Sequence, residues 1–235
     1  MGARPWAVLI TSEHGGNEVP REHRDLFRER RALLDSHRGW DPGTLDLARR
    51  LAAELDAPLL AATVTRLLVD LNRSPHNPRV FSEVTRPLPS AERRALLERW
   101  HHPHWDAARA ALERGTREHG RVLHLGIHSF TPVLNRVTRR PDVALLYDPA
   151  RATERGLAVA WARALSAALP ERTVRRNDPY RGNTDGLATA MRRERPASKY
   201  VGVEIEINQR HVGRGGRFPA WVAAALLETL SEVLA

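Results

Sequence analysis

Short runs of apolar residues recur along the chain, separated by longer stretches in which apolar positions return every three or four residues. The short runs suit buried strands and the longer ones suit amphipathic helices, so the alternation predicts an α/β domain with a largely parallel sheet. Strands are predicted over residues 6–11, 59–64, 67–71, 122–127, 143–147 and 200–207. Leu45, Ala48, Leu51 and Leu55 form one helical stripe, and Leu157, Trp161, Leu165 and Ala168 form another. A C-terminal helix opens at Pro219 and packs through Val222, Leu226, Leu230 and Val233. A further helix takes Ser90 as its N-cap, and Pro103 is expected to break it from a second one that packs through Trp105, Ala108 and Leu112. Residues 73–89 and 174–195, rich in Asn, Pro, Gly and Arg, read as loops too long for plain connectors and suited to substrate binding. Residues 1–235 are read as a single domain.

Composition narrows the chemistry. The chain has no cysteine, which excludes disulfides, thiolate nucleophiles and thiolate metal sites; any metal must sit on His, Asp, Glu or Asn. No apolar run approaches the roughly 20 residues of a membrane span and no leader is recognisable, so a cytoplasmic protein without a membrane partner is expected. A formal charge of +9 raises nucleic-acid binding as a possibility. Yet Lys199 is the only lysine, and the arginines alternate with apolar residues at helical spacing, as on solvated helix faces. No nucleic-acid partner is therefore expected.

In open α/β sheets, ligands bind beyond the carboxyl ends of the strands, which makes the residues after each apolar run the place to look. After the first comes "SEHGGN", with Glu13, His14, Asn17 and, just beyond, Glu18; the run that begins at Leu67 leads into "DLNRS", with Asp70, Asn72 and Arg73; after the run at 122–127 comes His128. In "YVGVEIEINQ" the alternation sets Glu204, Glu206 and Asn208 on the face opposite the valines and isoleucines. The convergence of histidines, glutamates and an Asn-Arg pair at one sheet edge is the inventory of a metal hydrolase. Each piece also has a plainer reading. His14 fits a loop whose Gly15 and Gly16 supply positive φ; His128 shares a strand face with His124 and fits a core histidine; Asp41 fits a helix N-cap; Glu204 and Glu206 fit the wet face of an edge strand. The cluster "HHPHWD" reads as a helix junction rather than a metal site, because Pro103 separates its histidines.

Taken in order, "SEHGGNEVP", "HRGWDPG", "VDLNRS", "HSFTPVL", "NDPYRG" and "VEIEINQ" resemble the N-formylglutamate amidohydrolase family over residues 8–212. The resemblance implies the fold of zinc carboxypeptidases and aspartoacylases: a three-layer α/β sandwich with a mixed, mostly parallel sheet and helices on both faces. It implies one zinc ion, or another divalent metal, on His14, Asp41 and His128, with Glu18 in place of Asp41 as the alternative. The family comparison also exposes a departure, since "HGGNE" is one residue longer than the two-ligand motif of those relatives and puts the poorer ligand Asn17 third after His14. Glu206 would be the catalytic carboxylate with Glu204 as its same-face neighbour. Asn72 and Arg73 would hold a substrate carboxylate, with Asp70 fixing the arginine or its loop. Tyr180, Arg175 and Arg176 are candidates for a second carboxylate. The implied reaction is hydrolysis of N-formylglutamate or another small N-acyl amino acid, releasing formate and the amino acid, as in histidine degradation. The alternatives are a hydrolase of peptide or cell-wall amides on the same scaffold, and a non-catalytic basic nucleic-acid-binding protein.

Overall fold

The computed structural model describes residues 6–234. Its strands are β1 (Ala7–Ser12), β2 (Leu59–Ala61), β3 (Val122–Phe130), β4 (Val133–Leu134), β5 (Val137–Thr138), β6 (Val143–Leu146), β7 (Val174–Arg176) and β8 (Tyr200–Asn208). The α-helices are α1 (Arg31–Leu34), α2 (Thr44–Glu54), α3 (Ser90–Leu96), α4 (His102–His119), α5 (Ala152–Ala168), α6 (Leu187–Glu194) and α7 (Ala220–Leu234). Six strands form one sheet in the order β2-β1-β3-β8-β6-β7, and β4 and β5 form a separate hairpin. All pairings in the large sheet are parallel except β6 with β8.

Strand alternation decides what each face carries. Val8 and Ile10, Leu123 to Ile127 in steps of two, and Val201 to Ile207 in steps of two pack against α2, α5 and α7, around the fully buried Trp161. Leu9, Val122 and Tyr200 face the other way, onto Trp105, Ala108 and Leu112 of α4 and Leu187 and Met191 of α6. The result is the three-layer sandwich implied above, with a mixed and mostly parallel sheet between two helical layers. Every residue of β3 is buried, as expected of a strand covered on both sides. No helix among the described residues is long and apolar enough to cross a membrane.

Several expectations need correction. The run at 67–71 is not a strand; it passes through turns, with Leu67 N–H donating to Thr65 Oγ1 at 3.3 Å and Asp70 N–H to Val80 O at 2.8 Å. Its leucines are apolar because they pack in a separate cluster with Phe27, Val80, Val84 and Leu96. Ser90 is the first helical residue rather than a cap, with Pro89 preceding it. Pro103 does not break the chain: α3 runs through a π-turn at Leu97–His101 straight into α4, and the proline lies in the first turn of α4, where its missing N–H costs little. The loop expected at 174–195 contains β7 and α6. Finally, β8 is a central strand rather than an edge, so Glu206 is buried instead of wet.

Candidate active site

Where β1 ends, the buried Glu13 is followed by His14, which lines a cleft of about 880 Å³ at the carboxyl ends of β1, β3 and β8. The two glycines that follow do not have positive φ. Their function is close approach. A Cβ on Gly16 would lie 2.5 Å from the carbonyl oxygen of Thr63 and 2.8 Å from its Cα, so only glycine lets the chain pass beside that backbone. Gly16→Ala is expected to destabilise the protein by about 1–3 kcal/mol, since backbone must yield. Chemical denaturation checks this, and an unchanged midpoint would refute it.

Asp41 does not cap α2. Gly43 occupies that position with φ of +85°, and the Asp41 side chain turns into the cleft instead. There His14 Nδ1 lies 3.4 Å and His128 Nδ1 3.2 Å from one atom, Asp41 Oδ2. The far nitrogens of both rings are also held: His14 Nε2 is 2.7 Å from Asp70 Oδ1, and His128 Nε2 is 3.2 Å from Glu13 Oε2. With a cation at Nδ1, the carboxylates beside Nε2 would take the remaining ring proton and leave the Nδ1 lone pair to ligate. The donor atoms of His14, Asp41 and His128 all lie within 4.8 Å of one another. A tetrahedral zinc with bonds of about 2.0–2.2 Å has donor–donor edges of about 3.3–3.6 Å, so this donor set fits a zinc ion.

Burial opposes ionisation of Asp41, but His14, His128 and Arg66 outweigh it and hold the carboxyl well below the usual range. Burial likewise opposes the Asp70 charge, and Arg66 and His14 overcome it. Glu206 behaves oppositely. Burial, reinforced by the charges of Asp41 and Glu204 and only partly relieved by His128, pushes its carboxyl up to about 8, and its buried Oε2 has no hydrogen-bond partner. It lines the same cleft because Glu206 and His128 are register partners on β8 and β3.

The remaining expected residues fall as follows. Asn72 accepts from Leu187 N–H through Oδ1 at 2.9 Å, which aims its Nδ2 at Glu204 Oε1, 3.3 Å away. Arg73 lines the cleft and donates from one terminal nitrogen to the Asp185 and Asn72 carbonyls, with no carboxylate in ion-pair contact among the described residues. Tyr180 lines it too, and its hydroxyl accepts from Arg139 at 2.8 Å. Arg175 and Arg176 sit on β7, outside the cleft. Glu18 points away and accepts from Thr63 Oγ1 at 2.8 Å; Asn17 donates to the carbonyl of Leu34 and to Asp35. Neither reaches the donor cluster. His124 is a core histidine held between Thr11 Oγ1 at 2.9 Å and the Tyr200 hydroxyl at 2.7 Å; burial pulls its pKa down to about 4. Asn208 braces the Arg139 and Pro141 carbonyls outside the site.

Some participants escape a reading by strand ends. In the sequence Glu13 is only one member of a polar cluster, yet its Oε2 lies 3.2 Å from His128 Nε2. Arg66 lies between the runs at 59–64 and 67–71, and only its i,i+4 spacing to Asp70 hints at a pair. The "HHPHWD" segment is not a break between helices but part of the continuous run into α4, and it braces the site from behind: His101 Nε2 lies 2.8 Å from Arg73 O, and Trp105 Nε1–H donates to Leu71 O at 2.7 Å.

The sequence profile of N-formylglutamate amidohydrolase matches residues 6–212. A solved gene product from Agrobacterium tumefaciens is similar with 29% identity and a TM-score of 0.80, covering 97% of this chain and 90% of that one. The N-formylglutamate amidohydrolase from Ralstonia eutropha JMP134 is similar in fold, with 23% identity and a TM-score of 0.69 over 97% of this chain and 91% of that one. No curated protein matches significantly.

Proposed function

From the premise that this chain belongs to the N-formylglutamate amidohydrolase family, and so to the amide hydrolases, we propose that it is a zinc-dependent deformylase of N-formylglutamate or a closely related N-acyl amino acid. The observation that carries this reading is the meeting of His14 Nδ1 and His128 Nδ1 at Asp41 Oδ2, with the unpartnered carboxylate oxygen of Glu206 in the same cleft.

His14, Asp41 and His128 would hold the zinc, leaving a fourth position open. When bound, zinc supplies a Lewis acid that polarises the formyl carbonyl and acidifies water from a pKa of 15.7 towards about 7. Glu206 takes a proton from the water that attacks the formyl carbon, then delivers it to the amine nitrogen as the C–N bond breaks. The products are formate and the free amino acid. The raised pKa of Glu206 matches it to that shuttle, although a neighbouring dication would draw the value down again. Arg73 has guanidinium N–H groups to spare for a substrate carboxylate, and Asn72, fixed through its Oδ1, offers an amide donor beside it. Tyr180 borders the region where the rest of the amino acid would lie.

The test is formate release from N-formylglutamate beside other N-formyl and N-acetyl amino acids and an N-acetylmuramoyl peptide, with metal content measured on the same sample. Loss of activity on chelation and recovery with zinc supports the reading. Cleavage of the muramoyl amide in place of the formyl amino acids would replace it with a cell-wall specificity. Arg73→Ala is expected to raise KM for acidic N-formyl substrates by about 10–100-fold with a smaller change in kcat, the cost of one charge-assisted contact. Steady-state kinetics decide this, and an unchanged KM would remove Arg73 from the site.

A further inference from the structure

Among the described residues, Arg66 is the one in the cleft whose side chain joins the carboxylates on both sides of His14. Its Nη1 lies 3.3 Å from Asp41 Oδ1 and its Nη2 lies 2.9 Å from Asp70 Oδ2. The other oxygen of each carboxylate is directed at the histidines: Asp41 Oδ2 meets both Nδ1 atoms, and Asp70 Oδ1 meets His14 Nε2 at 2.7 Å. A circuit therefore runs from Arg66 through Asp41 to His14, on through Asp70, and back to Arg66. The main chain supports the same arrangement, because Arg66 N–H donates to Gly39 O at 3.2 Å and Thr65 Oγ1 donates to it at 2.9 Å. Gly39 lies two residues before Asp41, so residues 65 and 66 hold both the loop and the side chain of Asp41.

We propose that Arg66 is a positioning residue for the metal centre: its two-pronged guanidinium occupies Asp41 Oδ1 and Asp70 Oδ2, which leaves Asp41 a single oxygen for the metal and fixes the His14 ring. The inference rests on the metal-centre reading of His14, Asp41 and His128. A guanidinium suits the task where an ammonium does not, since two carboxylates must be met by two separate donors at a set spacing. The side chain lines the cleft and retains 23% exposure, so water would compete for Asp41 Oδ1 once the guanidinium is removed. Asp41 would then be free to offer both oxygens, and the His14 ring would lose the charge that orders its carboxylate partner.

The experiment compares wild type with Arg66→Met and Arg66→Lys, each checked for a native circular-dichroism spectrum, by chelator-competition titration of zinc and by the visible spectrum of the cobalt-substituted protein. In Arg66→Met the zinc dissociation constant is expected to rise about 10–100-fold, as for other losses around a ligating group. The cobalt bands should weaken as Asp41 adds a second oxygen and the coordination number rises. Arg66→Lys should fall between, keeping one carboxylate contact and losing the other. A wild-type protein that takes up neither zinc nor cobalt would sink the metal-centre reading and this inference with it. Wild-type uptake with an Arg66→Met variant of equal affinity and unaltered spectrum would overturn the inference alone.

Discussion

Glu206→Gln is expected to lower kcat by about 10²–10⁴-fold while KM and zinc content stay near wild type, the range typical of losing a positioned acid–base group. The substitution is close to isosteric, so the packing of β8 between β3 and β6 should survive. What it removes is the ability to take a proton, and Glu206 is the buried carboxylate in the cleft with an oxygen lacking a partner. Steady-state formate release with metal analysis decides the matter, and near wild-type turnover would move the general base elsewhere, first to Glu204. A second readout needs no turnover. In the metal-free protein the folded-state pKa of Glu206 is raised to about 8, so between the unfolded value and about pH 8 the folded state holds the proton more tightly than the unfolded one. Stability contributed by that proton is fully present below the unfolded pKa and is lost as pH rises through the folded pKa. Glutamine stays neutral throughout. Metal-free Glu206→Gln should therefore melt on the order of 5 °C above wild type at pH 8 and alongside it near pH 4.

How much of this could be read from the sequence depends on whether a residue's role follows from its own strand. His14, His128 and Glu206 stand at or near the ends of strands whose apolar runs announce themselves, and the parallel pairing of β1, β3 and β8 brings those ends together. Asp41 lies on a loop, so its place came through motif resemblance; as plain sequence it looked like an N-cap. The run at 67–71 misled because its four apolar residues announce burial but not extension, and these are buried by a loop and α3 rather than by strand neighbours. Pro103 misled for a related reason: a proline breaks a helix in its interior yet is accepted in a first turn, and the π-turn before it creates such a turn. Glu13, Asp70 and Arg66 act through partners 25 or more residues away in sequence, apart from the Arg66–Asp70 pair, so their roles exist only once the chain is folded.

Asp41→Asn is expected to weaken zinc binding by at least about 100-fold and to reduce turnover to background, while Glu18→Gln leaves both near wild type. The contrast matters because these two carboxylates compete for one role in the sequence, and the structure separates them by what each side chain meets. Asp41 Oδ2 stands between the Nδ1 atoms of His14 and His128, whereas Glu18 lies outside that cluster with Thr63 as its partner. Asparagine keeps the size of the side chain and one oxygen but loses the negative charge, and a neutral amide is a poor ligand for a dication already shared by two neutral imidazoles. Its amide nitrogen would also bring donor hydrogens towards either Arg66 or the ring nitrogens. The loss should therefore exceed the 10–100-fold expected when only a residue supporting a ligand is removed, as in Arg66→Met. Zinc titration against a chromophoric chelator ranks the variants, and the order predicted is Glu18→Gln equal to wild type, Arg66→Met weaker, and Asp41→Asn weakest. If Glu18→Gln loses the metal and Asp41→Asn keeps it, the chain after β1 must rearrange around the ion, and the third ligand is Glu18.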